Sequence, residues 1–296
     1  MPQPAILVAT DFSPPAAHAL ERAALVAQQK SATLHLLHVL PPVSWKMFGQ
    51  ALQGHPEVSD RQLQEAARRQ LEQVADECRQ RHALDLQVHL TEGRPRAAIA
   101  ACAQDVGAEL TVLGPHAGHF GRDLFVGSTA AHCLQAGVTP LLIAQAAPQG
   151  PWQTVLVPVD FSPASLAAIK TAAYFAPQAA LHVLHVYGVE FEGKMRYAGV
   201  TPDVIDKYRQ AAADQAGRHM AQLIQSACLP LLPLIRHGYP AREILAEAEA
   251  LRADLIVTGK HQRAGLDRWL LGSVTEALLF GLNRDLLTVA VPEQAA

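Results

Sequence analysis

The chain has 296 residues, half of them hydrophobic, and a formal net charge of −3 at pH 7. This length predicts two domains of about 150 residues, each with enough apolar residues to form a core. The basic residues form no run, which argues against nucleic-acid binding, and the four scattered cysteines indicate free thiols in a reducing compartment.

The first element in chain order is a continuous apolar run at Ala5–Ala9, which predicts a buried parallel strand. The run is too short for a signal sequence, and no apolar run in the chain approaches the ~20 residues of a membrane span. We therefore expect a cytoplasmic protein with no membrane partner. Ser13 as N-cap, with Pro14 and Pro15 in the first turn, predicts a helix to about Lys30.

The rest of the first half alternates strands and helices in the same way. A second strand is predicted at Thr33–Leu40, followed by a long loop and a polar amphipathic helix that ends near His82. The later strands are predicted at Leu84–Leu90, Glu109–Leu113 and Thr139–Ala144. One helix is started by Gly93-Arg94-Pro95 and runs to about Asp105, and another begins at Gly127-Ser128. Five strands alternating with helices predict an α/β fold with a parallel, doubly wound sheet.

The whole pattern occurs twice. AILVATDFS at 5–13 returns as TVLVPVDFS at 154–162, and LHLLHV at 34–39 returns as LHVLHV at 181–186. Each half also has a Gly-Ser pair, at 127–128 and 272–273. The order is kept, so the chain is a duplicated domain. A turn-rich linker at 148–151 predicts domains at 1–147 and 152–296, with Thr201-Pro202-Asp203 starting the long helix of the second.

Each half combines an aspartate after its first strand with a glycine-containing loop after its fourth. These loops are GPHAGHFGRDLFVGST at 114–129 and GKHQRAGLDRWLLGSV at 259–274. A doubly wound sheet binds ligands outside the carboxyl ends of its strands, so the aspartate and the loop should face one crevice. A Gly-Ser helix start offers amides to an anion, although it also fits an ordinary cap. The aspartates fit either a ligand contact or a turn.

These features resemble the universal stress protein family, whose signature is G-x2-G-x9-G-[S/T] together with an Asp after the first strand. The resemblance covers the whole chain. It implies two flavodoxin-like/adenine-nucleotide α-hydrolase-like domains and, in one branch of the family, binding of ATP, for which Mg²⁺ is a companion ion. The second signature glycine is replaced in both halves, by Ala117 and by Gln262. The first loop leaves more room for phosphates than the second, because Gln262 places a full side chain in the second loop where phosphates would pass.

The resemblance also implies a set of contacts to an adenine nucleotide in each half. In the first half they are Ala9, Thr10, Asp11, Val39, Leu113, Gly114, His116, Ala117, Gly127, Ser128 and Thr129. In the second half they are Pro158, Val159, Asp160, Val186, Thr258, Gly259, His261, Gln262, Gly272, Ser273, Val274 and Thr275.

Common catalytic motifs are absent from the sequence: neither G-x-x-x-x-G-K-[ST], G-x-S-x-G nor H-E-x-x-H occurs. The pairs His35/His38 and His182/His185 cannot clamp one metal ion, because strand positions three apart point to opposite faces. The chain therefore fits a binding or regulatory module, with at most slow ATP hydrolysis. One hypothesis is a stress-response regulator that binds ATP in one or both halves. The alternative is a protein-interaction or chaperone-like scaffold without nucleotide, and a true hydrolase is a third.

Single-domain members of the family pair through the edge of the fifth strand. The resemblance therefore implies that Leu141–Ala144 lies beside Leu286–Val291, giving a pseudo-twofold internal dimer that covers both strand edges. Association of two chains into a homodimer, and the identity of a protein partner, stay open.

Overall fold

The structure is a computed structural model, and it describes residues 3–40, 60–115, 129, 133, 139–189, 192–262, 273–281 and 283–292. The chain divides into two compact units, Met1–Gly150 and Pro151–Ala296. These are called the first half and the second half below. Each is an α/β unit built on a parallel sheet.

The described residues of the first half form five strands in the order β3-β2-β1-β4-β5. All four neighbouring pairs are parallel, with Val8 of β1 beside Leu36 of β2 and Val112 of β4. The elements are β1 (Ala5–Thr10), α1 (Pro14–Lys30), β2 (Thr33–Leu40), α2 (Asp60–His82), β3 (Leu86–Glu92), α3 (Pro95–Asp105), β4 (Ala108–Leu113) and β5 (Leu141–Ile143).

The second half repeats this arrangement with the strand order β10-β9-β6-β7-β8, and its neighbouring strands are again parallel. Its elements are β6 (Thr154–Val159), α4 (Pro163–Phe175), β7 (Ala180–Tyr187), α5 (Glu192–Tyr197), α6 (Pro202–Ala227), β8 (Leu231–His237), α7 (Pro240–Ala250), β9 (Leu255–Gln262), α8 (Ser273–Gly281) and β10 (Asp285–Pro292). The predicted duplicated α/β fold with five parallel strands per half is confirmed.

Helix α1 shows how the sequence produces the packing. Ser13 has an extended backbone at the N-cap, and its hydroxyl accepts a hydrogen bond from the Ala16 amide at 3.4 Å. Small residues at helical spacing, among them Ala16, Ala19, Ala23 and Ala27, are all buried against the sheet. Their small side chains let the helix lie close to the apolar strand residues, so the site at the end of β1 rests on a tightly packed base.

Several predicted strand boundaries differ from the structure. The first and fourth strands are each one residue longer, at Thr10 and Ala108, and the fifth occupies Leu141–Ile143 instead of Thr139–Ala144. The third strand occupies Leu86–Glu92 instead of Leu84–Leu90, because its register is set by pairing with β2 from Leu34 to Leu40. The fourth strand of the second half was expected to end before Gly259. Instead β9 continues to Gln262, since β10 pairs with it as far as Pro292. His261 and Gln262 are therefore strand residues, and their expected position in a loop is wrong.

Among the helices within the described ranges, none combines the length and apolarity that crossing a bilayer requires.

Candidate functional site

The turn that follows β1 is built around the carboxylate of Asp11. Its Oδ1 accepts hydrogen bonds from the Ser13 amide at 3.1 Å and from the Ser13 hydroxyl at 2.5 Å. Thr10 contributes a further bond, because its Oγ1 accepts from the Phe12 amide at 3.0 Å. Asp11 itself is exposed. One carboxylate oxygen therefore organises the turn, while Oδ2 has no hydrogen-bond partner in the described part of the chain.

The second half builds the same turn around Asp160 with one additional side chain. Oδ1 of Asp160 accepts from the Ser162 amide at 3.0 Å and from the Ser165 hydroxyl at 2.7 Å. The Ser165 hydroxyl oxygen also accepts from the Asp160 amide at 3.0 Å. Partial burial raises the pKa of this carboxyl, but the hydrogen bonds from Ser162 and Ser165 outweigh it and leave the pKa below its usual value. Ala16 stands in place of Ser165 in the first half.

Both turns place a phenylalanine in the left-handed region, which is unusual for a bulky residue. Phe12 has φ of 63° and Phe161 has φ of 65°. The ring of Phe12 stacks on His38 with centroids 4.3 Å apart, and Phe161 stacks on His185 at 4.2 Å. These histidines lie near the ends of β2 and β7. Sequence reasoning treated them only as strand residues, although their return in the repeated L-H-[LV]-L-H-V segment was a signal.

The first signature glycine of each half packs against the first turn of a helix. A Cβ on Gly114 would lie 3.0 Å from the Pro15 carbonyl oxygen. A Cβ on Gly259 would contact the Ala164 carbonyl oxygen and lie 2.6 Å from the carbonyl carbon. No larger residue fits without movement of the helix backbone. These glycines therefore bring the helix start, and with it the aspartate turn, close to the end of the neighbouring strand.

The strand order of each half reverses between β1 and β4 and between β6 and β9, and a doubly wound sheet is expected to bind its ligand at this point. In the second half the paired register covers Val155 with Leu255 and Leu156 with Ile256, so the carboxyl-terminal residues of both strands lie beyond it. Lys260 follows Gly259 in β9, and burial lowers the pKa of its ammonium group. Pro115 follows Gly114 at the corresponding place in the first half.

The other predicted contacts differ in how exposed they are to solvent. Four are buried: Val39, Leu113, Val159 and Thr275. Five are half-buried, namely Ala9, Thr129, Pro158, Val186 and Val274, and Ser273 is exposed at the start of α8. Thr258 is also buried, and its hydroxyl lies 3.3 Å from that of Thr288. The predicted contacts outside the described residues are His116, Ala117, Gly127, Ser128 and Gly272. Among the described residues, no three His, Cys, Asp or Glu side chains form a metal-binding group.

The comparisons with known proteins agree with this architecture. The model of the universal stress protein family matches twice, at residues 4–145 and 151–289. Universal stress protein MJ0531 of Methanocaldococcus jannaschii is 27% identical over 147 residues, which cover 48% of this chain and 85% of the relative. The chain therefore belongs to the universal stress protein family, with two copies of the family domain.

Solved structures similar to this chain support the same fold over nearly its full length. The universal stress protein of Archaeoglobus fulgidus DSM 4304 superimposes with a TM-score of 0.70 and 17% identity, covering 98% of this chain and 99% of that one. Protein PA1789 of Pseudomonas aeruginosa PAO1, described as functionally unknown, gives a TM-score of 0.61 and 19% identity, with coverage of 98% and 93%. At these identities the similarity supports the fold.

Proposed function

We propose that this protein is a stress-response regulator that binds an adenine nucleotide, ATP, in the crevice of one or both halves. The observation that carries the proposal is the duplicated aspartate turn at the point where the strand order reverses. Crevices at such points are the usual ligand sites of doubly wound sheets. The same turn recurs although some of the side chains that bond to it, Thr10 in one half and Ser165 in the other, differ between the halves.

The geometry of the turn suits the sugar and base of a nucleotide. With Oδ1 engaged by Ser13 or Ser162, each exposed aspartate has Oδ2 available to accept hydrogen bonds from ribose hydroxyls or an exocyclic amine. The expected phosphate contacts are at the start of α8, where Ser273 is exposed, and at the corresponding Gly-Ser of the first half. Mg²⁺ would accompany the phosphates rather than occupy a protein cage.

The second half offers one charge that the first half lacks. Lys260 lies beside Gly259 at the end of β9, where partial desolvation strengthens its interaction with an anion. We propose that Lys260 contacts the phosphates in the second half and so offsets the loss of the signature glycine at Gln262. ATP binding by the first half does not depend on Lys260, which belongs to the second half.

The first experiment is to denature freshly purified protein and identify any released small molecule by mass spectrometry, followed by calorimetry with Mg-ATP. Released ATP or ADP, or saturable binding of added Mg-ATP, supports the proposal. Asp11→Asn with Asp160→Asn, and Gly127→Val with Gly272→Val, should weaken binding. Equal binding by these variants would refute the proposed site.

The half-specific experiment compares Lys260→Met with Lys207→Met, a matched change on α6. Lys260→Met should weaken one class of sites by about tenfold, roughly one charged hydrogen bond, while Lys207→Met changes nothing. Unchanged affinity of Lys260→Met for Mg-ATP would mean that Lys260 does not contact the phosphates. Affinity would also stay unchanged if only the first half bound nucleotide. The titration is therefore repeated in the Asp11→Asn background, where the second site dominates binding.

A second candidate function is a protein-interaction scaffold without nucleotide. It is favoured by the exposed aromatic side chains of the second half, where Tyr197, Tyr239 and Tyr208 are 96%, 66% and 56% exposed. Tyrosine is enriched at protein interfaces. A protein that is empty on purification and gives no heat with Mg-ATP would support it. Loss of a specific partner in Tyr208→Ser and Tyr239→Ser, with the fold intact, would then be required.

A further inference from the structure

Each half supports its aspartate turn with a histidine from the neighbouring strand. His38 Nδ1 lies 2.8 Å from the Thr10 carbonyl oxygen, and His185 Nδ1 lies 2.9 Å from the Val159 carbonyl oxygen. A carbonyl oxygen can only accept, so Nδ1 is the donor in both contacts. The same ring then stacks on the phenylalanine that follows the aspartate. One imidazole therefore contacts the turn on both sides of Asp11 or Asp160.

We propose that His38 and His185 are the positioning residues of the two nucleotide sites, holding Asp11 and Asp160 in their binding geometry. The inference rests on the proposed function for its ligand, while the positioning itself is a property of the free protein. The imidazoles themselves do not contact the bound nucleotide.

The left-handed phenylalanine explains why such a support is needed. A side chain with a Cβ is unfavourable at φ near +60°, so Phe12 and Phe161 keep this conformation only if their surroundings hold it. If the phenylalanine relaxed, the next amide would rotate away from the aspartate. In the first half this amide is that of Ser13, whose bond to Oδ1 defines the turn.

Both halves have the bond from the serine amide to Oδ1, but the side chains that give the turn further hydrogen bonds differ, which singles out the histidine. The Thr10 hydroxyl accepts from the Phe12 amide in the first half, but valine stands at that position in the second. There the Ser165 hydroxyl bonds both the amide and the carboxylate of Asp160, but alanine stands in its place in the first half. The histidine-to-carbonyl bond and the stacked phenylalanine are common to both.

The bond also fixes the tautomer of the ring. Donation from Nδ1 places the proton there, so the neutral imidazole carries its lone pair on Nε2. ¹⁵N spectra of histidine-labelled protein should therefore show the Nδ1-H tautomer at His38 and at His185. The Nε2-H tautomer at both positions would contradict the proposed bond.

Two variants separate the donor from the ring. His38→Phe keeps an aromatic ring but has no donor, whereas His38→Asn keeps an amide donor without the ring. We expect His38→Phe to reduce hydrogen-exchange protection of the Ser13 amide by about three- to tenfold, the equivalent of one hydrogen bond, and His38→Asn to restore part of it. The Ser162 amide in the unmodified half is the internal control and should keep its protection.

The ligand measurement then tests whether positioning affects binding. His38→Phe should weaken the first-half site by about three- to tenfold, and His185→Phe should do the same in the second half. Unchanged Ser13 protection in His38→Phe overturns the proposal, as does reduced protection with unchanged affinity. If no nucleotide binds to the unmodified protein, the proposed function fails. The exchange data then still decide whether the histidine holds the turn.

Discussion

The imidazoles of His35 and His89 form a pair across β2 and β3, with Nδ1 of His35 2.9 Å from Nε2 of His89. Their ring centroids are 5.2 Å apart. Burial and the neighbouring His89 lower the pKa of His35, against an opposing effect of Asp85, and burial lowers the pKa of His89. In this pair one ring donates and the other accepts, which two fully protonated rings cannot do.

This pair should make stability depend on pH. Because the folded pKa values lie below that of unfolded histidine, about 6.5, the unfolded chain binds more protons just below that pH. The contribution of the pair to the free energy of unfolding is therefore complete above about pH 6.5, and it is lost as the pH decreases through the folded pKa values. His89→Leu should flatten the slope of melting temperature against pH in this range. The same slope in His89→Leu would contradict the prediction.

A mirror variant in the second half offers the matching control. Leu234 of β8 lies beside Leu184, as His89 lies beside Leu37, and buried His182 Nδ1 has no hydrogen-bond partner within the described ranges. Leu234→His should supply a partner and steepen the pH dependence of melting below about pH 6.5. A slope equal to that of the unmodified protein would show that the second half cannot form the pair.

The packed glycines should differ in their tolerance of a methyl group. Gly259→Ala forces a Cβ against the Ala164 backbone and should destabilise the protein by roughly 1–3 kcal/mol. Gly114→Ala meets Pro15 at 3.0 Å and should cost less. Gly217→Ala, with nothing within 4 Å on helix α6, should be neutral or stabilising by up to ~1 kcal/mol. Urea denaturation gives the ranking, and a loss in Gly217→Ala as large as in Gly259→Ala would refute it.

The Ser165 hydroxyl should hold down the pKa of the Asp160 carboxyl. Ser165→Ala removes the hydroxyl that donates to Asp160 Oδ1, so the pKa of Asp160 should rise. ¹³C titration of labelled aspartate measures this change. If Ser165→Ala leaves the pKa of Asp160 unchanged, its cause lies elsewhere.

A buried hydrogen bond near the start of the second half should contribute strongly to its stability. Trp152 Nε1 donates to Asp285 Oδ2 at 2.9 Å, and both residues are 3% exposed. Asp285→Ala leaves a buried N–H without this acceptor and should cost about 1–3 kcal/mol. Asp285→Asn retains an acceptor oxygen and should cost less. Thermal unfolding compares them, and equal losses would show that the carboxylate charge, rather than this bond, is what matters.

The sequence alone determined the features that depend on local chemistry and repetition. Helix α1 begins at Pro14 and β1 begins at Ala5 as predicted, because an N-cap serine, two prolines and a continuous apolar run each act over a few residues. The duplicated order of motifs was equally readable, and the glycine signature with the aspartate after the first strand carried the resemblance to the family. The placement of both aspartates after the first strand of their half followed directly.

Features that require contact between distant residues were decided only by the tertiary structure. The extension of β9 to Gln262 depends on the length of β10, and the shift of β3 depends on its register with β2. The support of Phe12 by His38 joins residues 26 positions apart (38 − 12), whose meeting depends on the β1–β2 pairing. No feature of the local sequence distinguishes His38, which contacts the aspartate turn, from His35, which is buried beside the imidazole of His89. The physical reason is that a strand residue's surroundings are set by its neighbouring strands and helices, which are remote in sequence.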